Sequence, residues 1–263
     1  MSALPVKLSD IKMEVLSQDT SVLASHEMLS HEIAGAAVVD HTLPAGTVLQ
    51  FAGQQEFIRI FFLCDGSVTF SAEGKEFAYA EKAMFVAKPE SDVKITAEGS
   101  SNLLEIRWDM NEQDLEDLRR SPESFPLSRA YADAPQYRDF FKSETTISRA
   151  ILKQTVIPRF AMGSVEAKAD DLVGQHAHPL LDQFFFSFPE NDMDLLIDCR
   201  ICPMKGNTLL HIPLGSNHGV IARGNQRMHY LWIDCTPQDL KDEAVAYLND
   251  VHKETGVKQT LDQ

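Results

Sequence analysis

The sequence predicts an all-β protein that consists of two antiparallel barrels in tandem, with a few short helices between and after them. Short runs rich in Val, Ile, Phe and Thr recur at intervals of about 8 to 12 residues, a spacing typical of sandwiches and barrels. Dipeptides such as Asp65-Gly66 and Glu73-Gly74 separate these runs and favour tight turns. The second half of the chain weakly repeats the pattern of the first. This repeat favours two similar units over one large domain.

The first predicted barrel covers residues 1–109. Its clearest strand-like sequence begins at Ala34, is interrupted by the turn signal Pro44-Ala45-Gly46, and closes with LLEIRWDM. Residues 110–147 are predicted to form a helical connector. Asn111 is a candidate N-cap for a helix over NEQDLEDLRR, and Ala134-Pro135 is predicted to begin a second short helix.

The second predicted barrel covers residues 148–235, and a C-terminal helix and tail follow over residues 236–263. Thr236-Pro237 combines a helix cap with a first-turn proline, and an amphipathic pattern continues to about Lys253, before Gly256. The whole fold class is therefore all-β, with a minor helical part.

Composition excludes several classes of function. The 263 residues contain 24 Lys and Arg against 39 Asp and Glu, a net charge of −15, which argues against binding nucleic acid or anionic membranes. The sequence lacks both a secretory signal and an apolar run of the ~18–20 residues that a membrane span needs, so a cytoplasmic protein is predicted. Its four cysteines do not suggest a disulfide framework in a chain of this length and are interpreted as reduced thiols.

A metal site is predicted from the segment GQHAHPLLDQFFFSF and the later segment PLGSNH. His176 and His178 lie one residue apart and project from the same face of a strand, because strand side chains alternate. Gln183 follows five residues after His178, and PLGSNH could return His218 to the same place. Three imidazoles and one amide oxygen form a mixed nitrogen and oxygen set that suits a transition metal.

These segments resemble the two signature motifs of the cupin superfamily, HxH with a later polar ligand and PxGxxH. Within that superfamily, HAHPLLDQFFFSFPENDMDLLID is similar to the corresponding run of the 5-keto-4-deoxyuronate and 5-deoxyglucuronate isomerases. The resemblance implies two cupin barrels, with one divalent ion held in the second barrel by His176, His178, Gln183 and His218. Gln183 departs from the glutamate that those isomerases have at this position.

Two further residues are candidates for the site. Asp182 occupies the commoner cupin spacing for an acidic ligand, so it competes with Gln183 as fourth ligand and is also a candidate catalytic residue. Strand alternation favours Gln183, which shares a face with Phe185. His211 lies two residues before Pro213 and could face the barrel interior as a proton carrier.

The first barrel is predicted to keep the frame of the second without its ligands. Alignment of the two halves places Gly53, Gln55 and Lys94 opposite the three histidines, and Ile60 opposite Gln183. The first barrel is therefore interpreted as a structural partner that helps to form a homodimer or higher homo-oligomer.

The first functional hypothesis is a metal-dependent ketol isomerase that acts on a sugar or sugar acid, with a small molecule as its partner. In that chemistry the ion polarises a carbonyl, and a side-chain base moves a proton between neighbouring carbons. Zinc is the predicted ion, with manganese, iron and nickel as alternatives. The competing hypotheses are a mononuclear dioxygenase, since three imidazoles with open positions also suit oxygen chemistry, and a non-catalytic small-molecule-binding protein.

Overall fold

The computed structural model of this protein describes residues 11–121, 123–139, 142–168, 170–178, 180–198 and 200–237. The described chain forms two compact units. The N-terminal unit consists of residues 16–134, and the C-terminal unit consists of residues 11–15 together with residues 135–237. Both units consist mainly of antiparallel strands, so the predicted all-β class is confirmed.

The described residues of the N-terminal unit form ten strands, arranged in one six-stranded and one four-stranded sheet. The strand orders are β11-β8-β5-β10-β3-β2 and β4-β9-β6-β7. These strands are β2 (Ala24–Met28), β3 (Ala36–Leu43), β4 (Val48–Phe51), β5 (Phe57–Asp65), β6 (Val68–Ala72), β7 (Lys75–Tyr79), β8 (Ala83–Val86), β9 (Val93–Ala97), β10 (Ser101–Asp109) and β11 (Leu127–Ala130).

Alternating apolar residues of these two sheets form the core of the N-terminal unit. Phe61 and Leu63 of β5, Phe85 of β8 and Phe70 of β6 are fully buried together. The rings of Phe70 and Phe85 stack with centroids 4.8 Å apart. Each such buried side chain contributes about 1.5–3 kcal/mol to folding, so this cluster holds the two sheets face to face.

The hairpin predicted at Glu73-Gly74 is present, whereas Asp65-Gly66 joins strands of different sheets. Glu73 and Gly74 both have positive φ, 51° and 73°, as a type I′ turn requires, and they connect the paired strands β6 and β7. Asp65 ends β5 in the six-stranded sheet, and Val68 begins β6 in the four-stranded sheet. Asp65-Gly66 therefore lies in the connection between the two sheets.

One α-helix, α1 (Glu112–Arg119), lies within the described residues at the position that Asn111 predicts. The Asn111 side chain accepts a hydrogen bond from the backbone N–H of Asp114, and the Asp114 carboxylate accepts one from the backbone N–H of Asn111. This reciprocal capping box satisfies two donors that a helix start leaves free.

In the C-terminal unit, the part of the chain that the structure describes forms eleven strands in one seven-stranded and one four-stranded sheet. The strand orders are β1-β19-β16-β21-β14-β13-β12 and β15-β20-β17-β18. These strands are β1 (Met13–Val15), β12 (Gln136–Tyr137), β13 (Ile147–Ile157), β14 (Phe160–Ala167), β15 (Asp171–His176), β16 (Asp182–Ser187), β17 (Asp192–Ile197), β18 (Arg200–Lys205), β19 (Thr208–Ile212), β20 (His218–Ala222) and β21 (Met228–Cys235).

The core of this unit again lies between the two sheets. Phe185 of β16, Leu210 of β19, Tyr230 of β21 and Val220 of β20 belong to one buried cluster. Gly163 of β14 lets the sheet close, because a Cβ atom at this position would collide with the Trp232 ring of β21.

Three predicted boundaries differ from the structure. Residues 13–15 form a strand that pairs with β19 of the C-terminal unit, although the first barrel was predicted to begin at residue 1. The second helix predicted at Ala134-Pro135 is wrong, because residues 136 and 137 form β12, which pairs with β13. Residues 135–139 and 142–147 therefore belong to the C-terminal unit rather than to a separate connector. The C-terminal helix predicted after Pro237 falls on residues outside the described ones.

Candidate metal centre

The three histidines of the two motifs meet inside the C-terminal unit. One ring nitrogen from each of His176, His178 and His218 lies within 4.8 Å of the other two. The ring centroids are 4.7 Å apart for His176 and His218, and 5.5 Å apart for His178 and His218. The predicted convergence of residues far apart in sequence is therefore present.

Strand pairing brings the imidazoles together. His176 is the last residue of β15, and it pairs with His218, the first residue of β20. His178 follows two residues after the end of β15. Gly219 permits the close approach of these strands, because a Cβ atom there would lie 2.7 Å from the backbone oxygen of Val173.

Backbone carbonyls orient two of the rings. Nδ1 of His176 donates to the Gly174 oxygen at 2.8 Å, and Nδ1 of His218 donates to the Ser216 oxygen at 3.0 Å. A neutral imidazole that donates through Nδ1 keeps the lone pair of Nε2 for a metal ion. Nε2 of His218 is buried and has no hydrogen-bond partner among the described residues, as a ligand atom without its ion would be.

Burial favours the uncharged form of these imidazoles. It lowers the pKa of His178 to about 3, with a further contribution from the neighbouring imidazole of His218, and the pKa of His218 to about 4. Neutral imidazole is the form that ligates metals. The geometry and protonation state of the three imidazoles, and the tautomers of His176 and His218, therefore fit a divalent transition metal.

Gln183 lies on the interior face of β16 and contacts a carboxyl group. It shares that face with Phe185, whose ring centroid is 5.8 Å from that of His218. Its amide nitrogen donates to Oδ1 of Asp234 at 2.7 Å, across the pair of β16 with β21. Gln183 as fourth ligand stays a prediction, because its amide nitrogen contacts Asp234.

Asp234 is a site residue that sequence analysis did not identify. Its side chain is half-buried, and desolvation raises the pKa of the carboxyl group to about 7, although the Gln183 hydrogen bond and the charge of Lys142 oppose the rise. A carboxyl group with such a pKa exchanges protons near neutral pH. The signal in the sequence was weak, since Asp234 is one acid at the end of an apolar strand.

Lys142 is a second residue that was missed, because it lies in the segment predicted as a connector. Its ammonium group contacts the Asp139 carboxylate at 2.6 Å and donates to the Ser148 hydroxyl at 3.0 Å. Its side chain is 7% exposed. The ammonium is close enough to His176 and His178 for its charge to help lower the pKa of both. The C-terminal unit thus combines neutral imidazoles, a cation and a protonatable carboxyl group.

Asp182 and His211, the predicted catalytic residues, lie on the face of their strands that points away from the imidazoles. Their neighbours Gln183 and Leu210 point inward, so alternation directs Asp182 and His211 to the opposite face of the sheet. There Nε2 of His211 lies 3.0 Å from Oδ1 of Asp182, and the His211 ring packs against Phe184. The two side chains therefore form a hydrogen bond with each other on the face that points away from the barrel interior.

The structure also corrects the alignment of the two halves. Phe51 ends β4 and pairs with Val93, which begins β9, so these two residues occupy the strand positions of His176 and His218. Lys94, which the alignment placed opposite His218, is exposed and points away from the core. The alignment was shifted by one residue at Lys94, which in a strand exchanges the two faces, and by two residues at Gly53.

Comparison with solved structures identifies several proteins with similar folds. The cupin 2 conserved barrel domain protein from Leptotrichia buccalis has a TM-score of 0.60 and 13% sequence identity, and the match covers 86% of this chain and 96% of that chain. The putative glyoxylate induced protein from Pseudomonas aeruginosa has a TM-score of 0.68 and 11% identity, with 87% and 82% covered. Bacillus subtilis oxalate decarboxylase, studied for its Mn(II) centres, has a TM-score of 0.61 and 13% identity, with 99% and 88% covered.

No protein-family model and no curated protein sequence matches this chain. No helix among the described residues is long and apolar enough to cross a membrane. At 11–13% identity the structural likenesses establish the fold alone. The chain therefore has the fold of the two-barrel cupin proteins.

Proposed function

We propose that this protein is a metal-dependent ketol isomerase whose substrate is a sugar or a sugar acid. The observation that carries the proposal is the convergence of three neutral imidazoles in the unit where the buried Lys142 ammonium group acts electrostatically on both His178 and the Asp234 carboxyl group. The similarity of the histidine motif to the sugar-acid isomerases supports the same reaction class.

The ion that the imidazoles suit is divalent, and zinc is proposed, with manganese as the first alternative because the Bacillus subtilis oxalate decarboxylase has Mn(II) centres. A bound divalent ion would polarise the substrate carbonyl and hold the neighbouring hydroxyl. His176, His178 and His218 would hold it, and the backbone carbonyls of Gly174 and Ser216 would keep two of the rings in the required tautomer.

Asp234 is proposed to carry the proton that moves between the two carbons. Ketol isomerisation moves a proton from the carbon that bears the hydroxyl group to the carbonyl carbon, and a second proton moves in the same direction, from the hydroxyl oxygen to the carbonyl oxygen. The Asp234 carboxyl group can take and return the first proton, and Gln183 fixes its orientation through the 2.7 Å hydrogen bond. Lys142, held by Asp139 and Ser148, supplies positive charge for oxygen that becomes negative during the transfer.

Metal analysis provides the first test. Protein purified without added ions is expected to contain about one divalent ion per chain, and His218→Ala is expected to lose it, because one of three imidazole ligands is removed. His211→Ala is the matched control, since His211 is a buried histidine on the outer face. Equal metal content in His218→Ala and wild type would contradict the centre.

Activity provides the second test. The metal-loaded protein is expected to interconvert aldose and ketose forms of at least one uronate, deoxyuronate or pentose, monitored by NMR exchange of the transferred hydrogen with deuterated solvent. Asp234→Asn should keep the metal and lose at least about 100-fold in rate, because general base catalysis typically supplies such a factor. A metal-loaded protein that is inactive across the panel, or that consumes oxygen instead, would overturn the isomerase.

A further inference from the structure

The interior of the N-terminal unit carries a cationic pair at the position where the C-terminal unit carries Gln183 and Asp234. In the six-stranded sheet of the N-terminal unit β5 lies next to β10, just as β16 lies next to β21 in the seven-stranded sheet of the C-terminal unit. Arg59 of β5 pairs with Arg107 of β10, and Arg59 lies two residues before the core residue Phe61. In the same way Gln183 of β16 pairs with Asp234 of β21, and Gln183 lies two residues before the core residue Phe185. Two guanidinium groups thus replace an amide and a carboxyl group.

One fully buried carboxylate orients both guanidinium groups. Oε1 of Glu105 accepts hydrogen bonds from Nε of Arg59 at 2.9 Å and from Nε of Arg107 at 2.8 Å. Oε2 accepts a bond from Nη2 of Arg107 at 3.2 Å and lies 3.0 Å from Nε2 of His41. Burial alone would raise the pKa of Glu105, but the bonds from His41 and Arg107 outweigh it and hold the pKa at about 2, so the carboxylate is ionised.

Aromatic rings hold the arginines from the apolar side. The Arg59 guanidinium lies 4.7 Å from the centroid of Phe57 and 5.2 Å from that of Phe51, and the Arg107 guanidinium lies 5.9 Å from that of Phe57. Phe51 and Val93 are the residues that replace two of the histidines. The cationic pair therefore packs against aromatic rings where the other barrel has imidazoles.

After these contacts, the two arginines still offer N–H donors and a net positive charge to a ligand. Nη1 of Arg59 donates to the Ala52 oxygen at 3.3 Å, whereas Nη2 of Arg59 and Nη1 of Arg107 have no hydrogen-bond partner within the described part of the chain. The two side chains are 18% and 34% exposed, so their outer edges reach solvent. With the His41 imidazole counted as neutral, two guanidinium charges less the one Glu105 charge leave a single positive charge. Glu27, whose charge acts on Arg107, is exposed and screened by water.

We propose that the N-terminal barrel binds a small organic monocarboxylate through the outward N–H groups of Arg59 and Arg107. The planar N–H groups of a guanidinium can donate two parallel hydrogen bonds to one carboxylate, and the single net positive charge matches a monoanion. The rings of Phe51 and Phe57 can contact the apolar part of the ligand. This site is independent of the proposed metal centre.

Calorimetric titration of the full-length protein with benzoate tests the proposal. Wild type is expected to bind benzoate saturably, and to bind the neutral isostere benzamide at least about tenfold more weakly, because benzamide lacks the charge that the arginines recognise. Inorganic phosphate, which has charge but no apolar body, is expected to bind at least about tenfold more weakly as well.

Variants distinguish this site from the metal centre. Arg59→Met should weaken benzoate binding at least about tenfold, whereas Lys94→Met, which removes an exposed cation on the outer face of the same unit, should not. His218→Ala should leave benzoate binding unchanged. If circular dichroism shows that Arg59→Met does not fold, Arg107→Gln serves the same comparison. Any of three results would overturn the site. These are the absence of saturable benzoate binding, equally strong binding of benzamide, and a loss of benzoate binding in His218→Ala but not in the arginine variant.

Discussion

The direction of individual side chains decides which residues can serve the candidate centre. Asp182 and Gln183 are adjacent in sequence, and both had a spacing suitable for a fourth ligand. In the structure Gln183 contacts Asp234 on the interior face, and Asp182 contacts His211 on the opposite face. A difference of one position thus separates a residue of the centre from one that supports the outer face of the sheet.

At this scale we predict that Asp182→Asn keeps the metal. The substitution should leave the ion content unchanged, because Asp182 points away from the imidazoles. It should lower the free energy of unfolding by about 1 kcal/mol, because its hydrogen bond to His211 loses a charged acceptor. Metal analysis and urea denaturation measure the two effects. His176→Ala is the positive control for metal loss, and a metal-free Asp182→Asn protein would contradict this assignment.

Local sequence is most informative for individual helices and turns. Asn111 predicts the start of α1, and Glu73-Gly74 predicts a hairpin, because capping and positive φ depend on a few consecutive residues. The same logic failed at Ala134-Pro135. That proline could begin a helix, but pairing of β12 with β13 holds the next residues extended.

At the scale of the element we predict that Asn111→Ala destabilises the protein by about 1 kcal/mol, because the side chain that accepts from the Asp114 N–H is lost. Equilibrium urea denaturation, followed by circular dichroism, measures the change. Gln113→Ala is the matched control, since Gln113 is exposed and makes only an exposed hydrogen bond to Asp117. Equal stability of the two variants would show that the cap is unimportant.

Over the whole molecule, the two units have different interior chemistry. The C-terminal unit holds imidazoles that burial keeps neutral, and the N-terminal unit holds the ionised Glu105 between two arginines. The same fold therefore supports a candidate metal centre in one unit and a candidate anion site in the other. The difference arises from a few inward positions at equivalent points of the sheets.

This chemistry predicts how acid affects stability. The pKa of Glu105 is about 2 in the folded protein against 4.5 for the ordinary group, so its ionisation stabilises the fold at neutral pH and is lost as the pH falls from 4.5 through 2. The difference in unfolding free energy between wild type and Glu105→Gln should therefore shrink by about 1 kcal/mol between pH 6 and pH 3.5. Urea denaturation at both pH values measures it, and a constant difference would contradict the assignment.

The sequence by itself determined the all-β class, the two-barrel repeat, helix α1 and the three histidines, since each depends on periodicity, local turn chemistry or a short motif. Only the tertiary structure decided that residues 13–15, 135–139 and 142–147 belong to the C-terminal unit, and that Lys142 and Asp234 accompany the imidazoles. It also decided that Asp182 and His211 face away. Strand pairing between distant segments and the choice of face depend on register, and register is set by the packing of the whole sheet rather than by any local run of residues.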